Sequence, residues 1–474
     1  MDSMMTLALF PLLLTGATVL VVMLGLACKR SYAVTAGITI AGLVAAFASV
    51  CAVTPAAPQK ITPLLLIDRY ALFYQGLILA SAAVVALLCY RYFEKHEDQR
   101  EEVYLLLVLA TLGCMVLVAS VHFVSFLLGL EVLSVSLYGM VAYSKERGYA
   151  LEAGIKYLVL ASASAAFLLF GMALIYGATG DMSFSGIRDL SVSGSSAALV
   201  LPGIALAATG IGFKLGVAPF HLWTPDVYQG APAPMTAFVA TTSKVAVVAL
   251  LLRFLPASSQ YPPVHLVFSI IAVASMCAGN FLALRQSNVK RILAYSSIAH
   301  FGYVLVAFLA GSTMGSGAVS FYLVAYTATT LAAFGVVTLL SNSDGDADDV
   351  EDYRGLFWRR PMLASGFTAA LLSLAGIPAT IGFLGKFYIL AAGADASAWL
   401  LMIVLVVTSV AGLFYYLRVV VTMYLPAPEA PPQEPRVSWE GILVIGVLTI
   451  LLVWLGFYPE PLLRLIRAAV AISA

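Results

Sequence analysis

Three lysines, Lys214, Lys244 and Lys386, stand inside apolar runs, each eight or more residues from the nearest polar boundary. At the rise of an α-helix that is about 12 Å of depth, close to the limit a lysine stem can snorkel across. A charge held there costs at least ~2.5 kcal/mol. One carboxylate, Glu131, lies comparably deep, so static pairs cannot neutralise all three ammonium groups. Burial disfavours the charged form of a lysine, and lowering its pKa from about 10.4 to near neutrality corresponds to about 4 kcal/mol. A lysine so placed can trade protons, which is what a relay requires. His300, in YSSIAHFGY, is the one histidine at such depth and could link lysines, flanked by Tyr295, Ser296 and Ser297. Thr241, Thr242 and Ser243, just before Lys244, fit either a hydrated path or helix-to-helix hydrogen bonds. The plainer alternatives are lysines locked to carboxylates for packing and a histidine satisfied at a helix contact.

Such residues must be positioned by membrane-crossing helices. The 474-residue chain is 62% hydrophobic and 10% charged, with a mean hydropathy of +0.98, a composition that excludes a water-soluble domain of this size. A net charge of +1 gives no support for a nucleic-acid partner. Cys28, Cys51, Cys89, Cys114 and Cys277 form no CxxC pair and read as small core residues, so no metal or iron–sulfur site is expected. Apolar runs of about 20 residues, each able to cross the bilayer, begin near Met4, Ala33, Leu64, Val103, Phe123, Ala153, Ala197, Met235, Val264, Ile292, Ala318, Met362, Ala398 and Ser438. With no water to satisfy the backbone in lipid, these fourteen spans must be helices. The first has no basic residue ahead of it and is expected to be retained rather than cleaved.

The odd-numbered loops, from Lys29 and Arg30 to Arg418 and Arg436, hold 15 basic residues; the even loops and tails, among them Lys60 and Arg253, hold 5. Because Lys and Arg collect in cytoplasmic loops, both termini are expected on the non-cytoplasmic side. Two further cations lie near span starts, Arg69 beside Asp68 and Lys156 one turn from Glu152, and both suit interfacial pairing or snorkelling.

GFKLGVAP, from Gly212 to Pro219, and IPATIGFLGKF, from Ile377 to Phe387, each join GF, a lysine and a proline inside an apolar run, their lysines 172 residues apart (386 minus 214). Gly and Pro interrupt the helical ladder, and paired interruptions in two halves of a chain point to an ion site. The broken spans are the seventh and twelfth, which predicts an all-α polytopic membrane protein with two inverted five-helix repeats. The expected divisions are 1–102, three helices; 103–260, spans four to eight; 261–425, spans nine to thirteen; and 426–474, the last span and a short surface helix in PEPLLRLIRAAVAISA.

The stretches LLGLEVLSVSLYGMVAY, LEAGIKYLVLASASAAFLLFGMALIYGATG, GFKLGVAPFHLWTPDVYQGAPAP, TTSKVAV, NVKRILAYSSIAHFGY and GIPATIGFLGKFYIL run from about Leu127 to Leu390. Together they resemble the antiporter-like membrane subunits of proton-pumping respiratory NADH:quinone oxidoreductase, a family that includes the multisubunit cation/proton antiporters. FHLWTPDVYQGAP is specific to the family at large. Within it, subunit M typically carries a glutamate at the place of Lys386, whereas GIPATIGFLGKFY resembles the subunit N form; the chain also ends soon after span fourteen, without the long lateral helix of subunit L. The resemblance implies a membrane-arm subunit of respiratory complex I in a bacterial-type inner (plasma) membrane, beside neighbours of the M and K type. It implies that Glu131 and Lys214 form a charged pair modulated during coupling, that Lys244 and His300 carry protons along the central axis, and that Lys386 serves the exit side. Glu152, Lys156, His221 and Tyr295 are auxiliary candidates. No cofactor is expected in this chain; NADH, FMN, iron–sulfur clusters and quinone belong to partner subunits, and so does the redox chemistry. At an effective dielectric of 20, two charges 4 Å apart interact by about 4 kcal/mol, enough to move a proton between coupled groups.

Other features have plainer readings. Asp344, Asp346 and Asp348 alternate like a calcium loop, but Asp349 and Gly355 stand where Gly and Glu are needed, so a solvated loop is expected. His221, Trp223 and Asp226 read as a turn after span seven, with anchoring favoured over proton uptake. Two rival functions are a gradient-driven cation/proton antiporter subunit and a non-conducting scaffold whose buried charges only assemble helices.

Overall fold

The computed structural model describes residues 7–28, 30–96, 100–144, 148–188, 197–254, 262–342, 345–426 and 437–470. Lys29, Asp344 and Arg436, both chain ends and the expected boundary at 260/261 lie outside these residues. Among the described residues, 13 helices are long and apolar enough to cross a membrane. In order, spans one to eleven are Phe10–Cys28, Tyr32–Val53, Arg69–His96, Glu102–Ala119, Phe123–Val141, Gly148–Thr179, Ala197–Leu215, Ala233–Ala240 continued by Thr242–Phe254, Pro262–Ala283, Val289–Leu309 and Thr313–Leu340; spans thirteen and fourteen are Trp399–Tyr424 and Trp439–Phe457. Span twelve completes the expected fourteen as two 15-residue helices, Pro361–Ala375 and Ile381–Asp395, each about 22 Å long and too short to cross alone. A two-stranded hairpin, Gln59–Lys60 against Leu66–Ile67, joins spans two and three, and Glu460–Val470 forms the surface helix after span fourteen, its Leu462 and Ile466 turned inward.

Burial sorts the spans. Spans eight, ten and eleven are enclosed over 94%, 94% and 89% of their apolar windows, whereas spans one, six, thirteen and fourteen are enclosed over 28–33%. The three central spans carry Lys244, His300 and Tyr326, so polar groups costly in lipid sit where protein surrounds them. Close packing comes from small residues. A Cβ on Gly113 would stand 2.7 Å from the backbone of Leu133, joining spans four and five; one on Gly171 would stand 2.6 Å from the carbonyl of Gly203, joining six and seven; one on Gly279 would stand 2.5 Å from the amide of Ala299, joining nine and ten. The same pairing continues with span twelve against eleven, where Gly385 faces the Tyr322 ring.

Three expectations are corrected. Asp68 does not pair with its neighbour Arg69, which is exposed; its carboxylate caps the amide of Ala71 at 2.8 Å and meets Arg253, from the last turn of span eight, at 2.7 Å. That pair is enclosed, with 6% and 9% of the side chains exposed, so Arg253 is not a loop cation. Removing one partner strands the other charge: Arg253→Met should destabilise the protein by about 3–5 kcal/mol, with much of the loss recovered when Asp68→Asn is added, as read by thermal unfolding in detergent. Second, Trp223 and Asp226 lie on a helix, Trp223–Gly230, which is the second half of span seven rather than a turn after it. Third, the loop from 345 onward is not solvated throughout. Asp346 is 3% exposed and paired at 2.6 Å with Lys290, itself 1% exposed. Burial pushes the carboxyl of the neighbouring Asp348 up, against the pull of Lys290.

Candidate functional site

Both breaks turn on a glycine in the left-handed region, Gly216 at φ 69° and Gly376 at φ 84°, a conformation that side chains disfavour. A Cβ on Gly216 would stand 2.4 Å from Thr224 Oγ1, with Lys244 Nζ in ordinary contact at 3.4 Å, whereas one on Gly376 would crowd the Lys386 side chain, 2.9 Å from Cδ and 3.1 Å from Nζ. Lys214 and Lys386, however, lie on opposite sides of their breaks, the first on the helix before Gly216 and the second on the helix after Gly376. Matched on these glycines, the breaks are 160 residues apart (376 minus 216), so the 172-residue spacing of the two lysine motifs is not the register of the breaks.

Lys214 donates to Ser134 Oγ of span five at 2.6 Å and lies 5.5 Å and 6.0 Å from the ring centres of Tyr157 and Tyr138. Glu131, one turn before Ser134, is half-buried and acts on Lys214 through space; the direct partner is the serine. Tyr157 packs on Trp223 at 4.8 Å, and the Trp223 ring centre lies 5.9 Å from Lys244 Nζ. Lys244, fully enclosed, donates to Ser297 Oγ at 2.8 Å, with Phe301 and Tyr228 around it at 4.8 and 5.4 Å. Ser297 also accepts from the Tyr326 hydroxyl at 2.8 Å.

His300 has both ring nitrogens engaged, Nδ1 by the Tyr322 hydroxyl at 2.7 Å and Nε2 by the Tyr416 hydroxyl at 3.1 Å. A neutral imidazole offers one donor and one acceptor, so one tyrosine donates to it while the other accepts. A proton arriving at one nitrogen and leaving from the other reverses both bonds. Tyr416 also bonds Ser296. Tyr303 stands between the two ends of this half, its ring centre 5.5 Å from His300 and 5.4 Å from Lys386 Nζ. Lys386 donates to Ser409 Oγ at 2.7 Å and to the carbonyl of Ala375 at 2.8 Å. That carbonyl ends the first half of span twelve, where the helix dipole favours a cation.

The structure therefore joins Lys214, Lys244, His300 and Lys386 in one line of contacts through Tyr157, Trp223, Ser297, Tyr326 and Tyr303, with Glu131 at its edge. Glu152 and Lys156 lie apart, exposed and paired at 2.7 Å, with Lys156 also 3.1 Å from Asp226. His221 falls in the break of span seven, half-buried. Tyr295 is half-buried against the core. Reading the sequence missed Ser134, Ser409 and the tyrosines 157, 303, 322, 326 and 416; the only signal was a hydroxyl inside an apolar span.

A multi-span α-helical bundle with a line of buried lysines and a histidine, running through its most enclosed helices and two broken ones, defines the antiporter-like class of membrane proteins. The chain belongs to the NADH:quinone oxidoreductase/Mrp antiporter family of transmembrane proteins, whose sequence pattern matches residues 120–412. It is 46% identical over 478 aligned residues, 98% of this chain and 97% of the relative, to NADH-quinone oxidoreductase subunit N of Ectopseudomonas mendocina (strain ymp). A chain of respiratory complex I from Thermus thermophilus superposes with a TM-score of 0.84 at 33% identity, covering 97% of this chain and 99% of that one. A chain of the Mrp complex from Dietzia sp. DQ12-45-1b has a TM-score of 0.87 at 20% identity, covering 99% and 97%, a likeness of fold alone.

Proposed function

We propose that this chain is a subunit N-type, antiporter-like component of a membrane-bound NADH:quinone oxidoreductase, and that it moves protons across the membrane along the line from Lys214 through Lys244 and His300 to Lys386. The observation that carries this reading is the enclosed line itself. Three lysines and a histidine, joined by hydroxyls and rings, are all buried, and Lys244 and His300 lie on the two most enclosed spans, where purely structural charges would be the costliest. Redox chemistry in partner subunits would change the field at Glu131, and the weakened hold on Lys214 would release its proton toward Lys244. Residues 103–260 and 261–425 serve as two half-channels of opposite orientation, with span pairs four–five, six–seven, nine–ten and eleven–twelve as their matched parts. Neighbours of the M and K type flank the chain, the host membrane is a bacterial-type inner membrane with both termini on the non-cytoplasmic side, and NADH, FMN, iron–sulfur clusters and quinone are held by partner subunits.

The test is Lys214→Ala in the assembled complex. Proton-to-electron stoichiometry should fall measurably; an unchanged value removes Lys214 from the path. The second reading, a subunit of a cation/proton antiporter, draws on the fold shared with the Mrp chain. Co-purifying subunits decide between them, and sodium exchange without NADH oxidation would favour the antiporter.

A further inference from the structure

The second half of span seven, Trp223–Gly230, is a helix of eight residues bounded by breaks at 216–222 and 231–232. A helix that short is marginal on its own, so its place is set by the side chains that hold it. Its inner side is enclosed and carries Trp223 and Tyr228, two of the rings around the Lys244 ammonium. Its outer side is held by cations from two other spans. Arg291 Nη1 of span ten meets Asp226 Oδ1 at 2.9 Å and Gln229 Oε1 at 3.0 Å, and Lys156 Nζ of span six meets Asp226 Oδ2 at 3.1 Å. Beside them Lys290 donates at 2.9 Å to the carbonyl of Ala231, which caps the same helix, and Lys290 is itself fixed by Asp346, whose other oxygen accepts from the Tyr92 hydroxyl at 2.6 Å.

We propose that Asp226, gripped by Lys156 and Arg291, clamps this short helix and thereby sets how Trp223 and Tyr228 sit against Lys244, and so how readily a proton passes between Lys214 and Lys244. The inference rests on the proton-carrying reading above. The step moves one proton and no electron: an N–H bond breaks at Lys214 and one forms at the amine of Lys244. Asp226 and Arg291 are positioning residues; they touch the helix and act through Trp223.

The experiment uses the whole complex in sealed membrane vesicles driven by NADH, with protons moved and NADH oxidised measured separately. Asp226→Asn should lower the protons moved per electron about fivefold, and Asp226→Glu, which keeps the charge, should restore most of it. Trp223→Phe should have an effect of similar size, and the double variant Asp226→Asn with Trp223→Phe should be no worse than either alone, because both act on one contact. Normal stoichiometry in Asp226→Asn, or effects that multiply in the double variant, would overturn the clamp. If Asp226→Asn does not assemble, Gln229→Ala removes only one arm of the Arg291 grip; a reduced stoichiometry that does not multiply with Trp223→Phe supports the clamp, and any other result overturns it. Lys214→Ala run alongside separates the two ideas: normal pumping there removes the relay, whereas lost pumping there with normal Asp226→Asn removes the clamp alone.

Discussion

Lys244→Met is expected to lower proton translocation by about a hundredfold or more, the scale on which removing a positioned proton carrier acts, while the subunit assembles and melts no lower than before. Methionine fills the lysine stem's space and adapts to irregular surroundings, so the contacts with Phe301, Trp223 and Tyr228 persist. What disappears is the nitrogen that bonds Ser297 at 2.8 Å. No carboxylate forms an ion pair with Lys244 among the described residues, so its removal strands no opposite charge. Exchanging an unpaired buried cation for an apolar side chain of similar shape is neutral or stabilising. The two readouts thus move in opposite directions: proton flux in reconstituted complex falls, and the melting temperature holds or rises. A scaffold whose charges only assemble helices predicts the reverse, intact flux with a lowered melting temperature, and intact flux would remove Lys244 from the path.

What the sequence revealed followed from how far a residue departs from its surroundings. A lysine inside an apolar run is conspicuous, so Lys214, Lys244 and Lys386 stood out, and the glycines and prolines beside them marked both interrupted spans. Apolar runs of span length made the fourteen helices countable, and from the second onward they start within five residues of the expected places. Tyrosine carries no such contrast. With 23 in the chain, it suits both the membrane boundary and a packed core, and only the fold shows that Tyr322 and Tyr416 close on His300 while Tyr295 stays at the edge. Long-range partners were hidden for a different reason. Asp68 and Arg253 are 185 residues apart, whereas Arg69 is adjacent, and adjacency misled. The eight-residue helix Trp223–Gly230 is too short to show an apolar period, so it read as a turn. The GF and lysine shared by the two motifs outweighed the less conspicuous match of Gly216 with Gly376, which shifted the register between the breaks by 12 residues (172 minus 160).

Gly382→Ala should lower assembly, stability and proton flux together. Gly382 opens the second half of span twelve, where its amide is held by Ser373 Oγ at 3.2 Å. The two half-helices approach so closely there that an added Cβ would stand 2.0 Å from the carbonyl oxygen of Ser373. The obstacle is backbone, not the end of a flexible side chain, so one half-helix must move by more than an ångström. Overpacking of this kind costs about 1–3 kcal/mol, opposing the fraction of a kcal/mol by which alanine favours a helix over glycine. The displacement also separates Lys386, on the second half, from the Ala375 carbonyl on the first, the contact that holds its ammonium at the break. The expected result is less assembled complex in the membrane, a lowered melting temperature, and reduced proton flux in what does assemble. Gly446→Ala in span fourteen is the control, since nothing lies within 4 Å of its added Cβ; that variant should match or exceed the parent in stability. Equal stability of the two variants would mean that the halves of span twelve do not meet as closely in the membrane as Gly382 and Ser373 do in this structure.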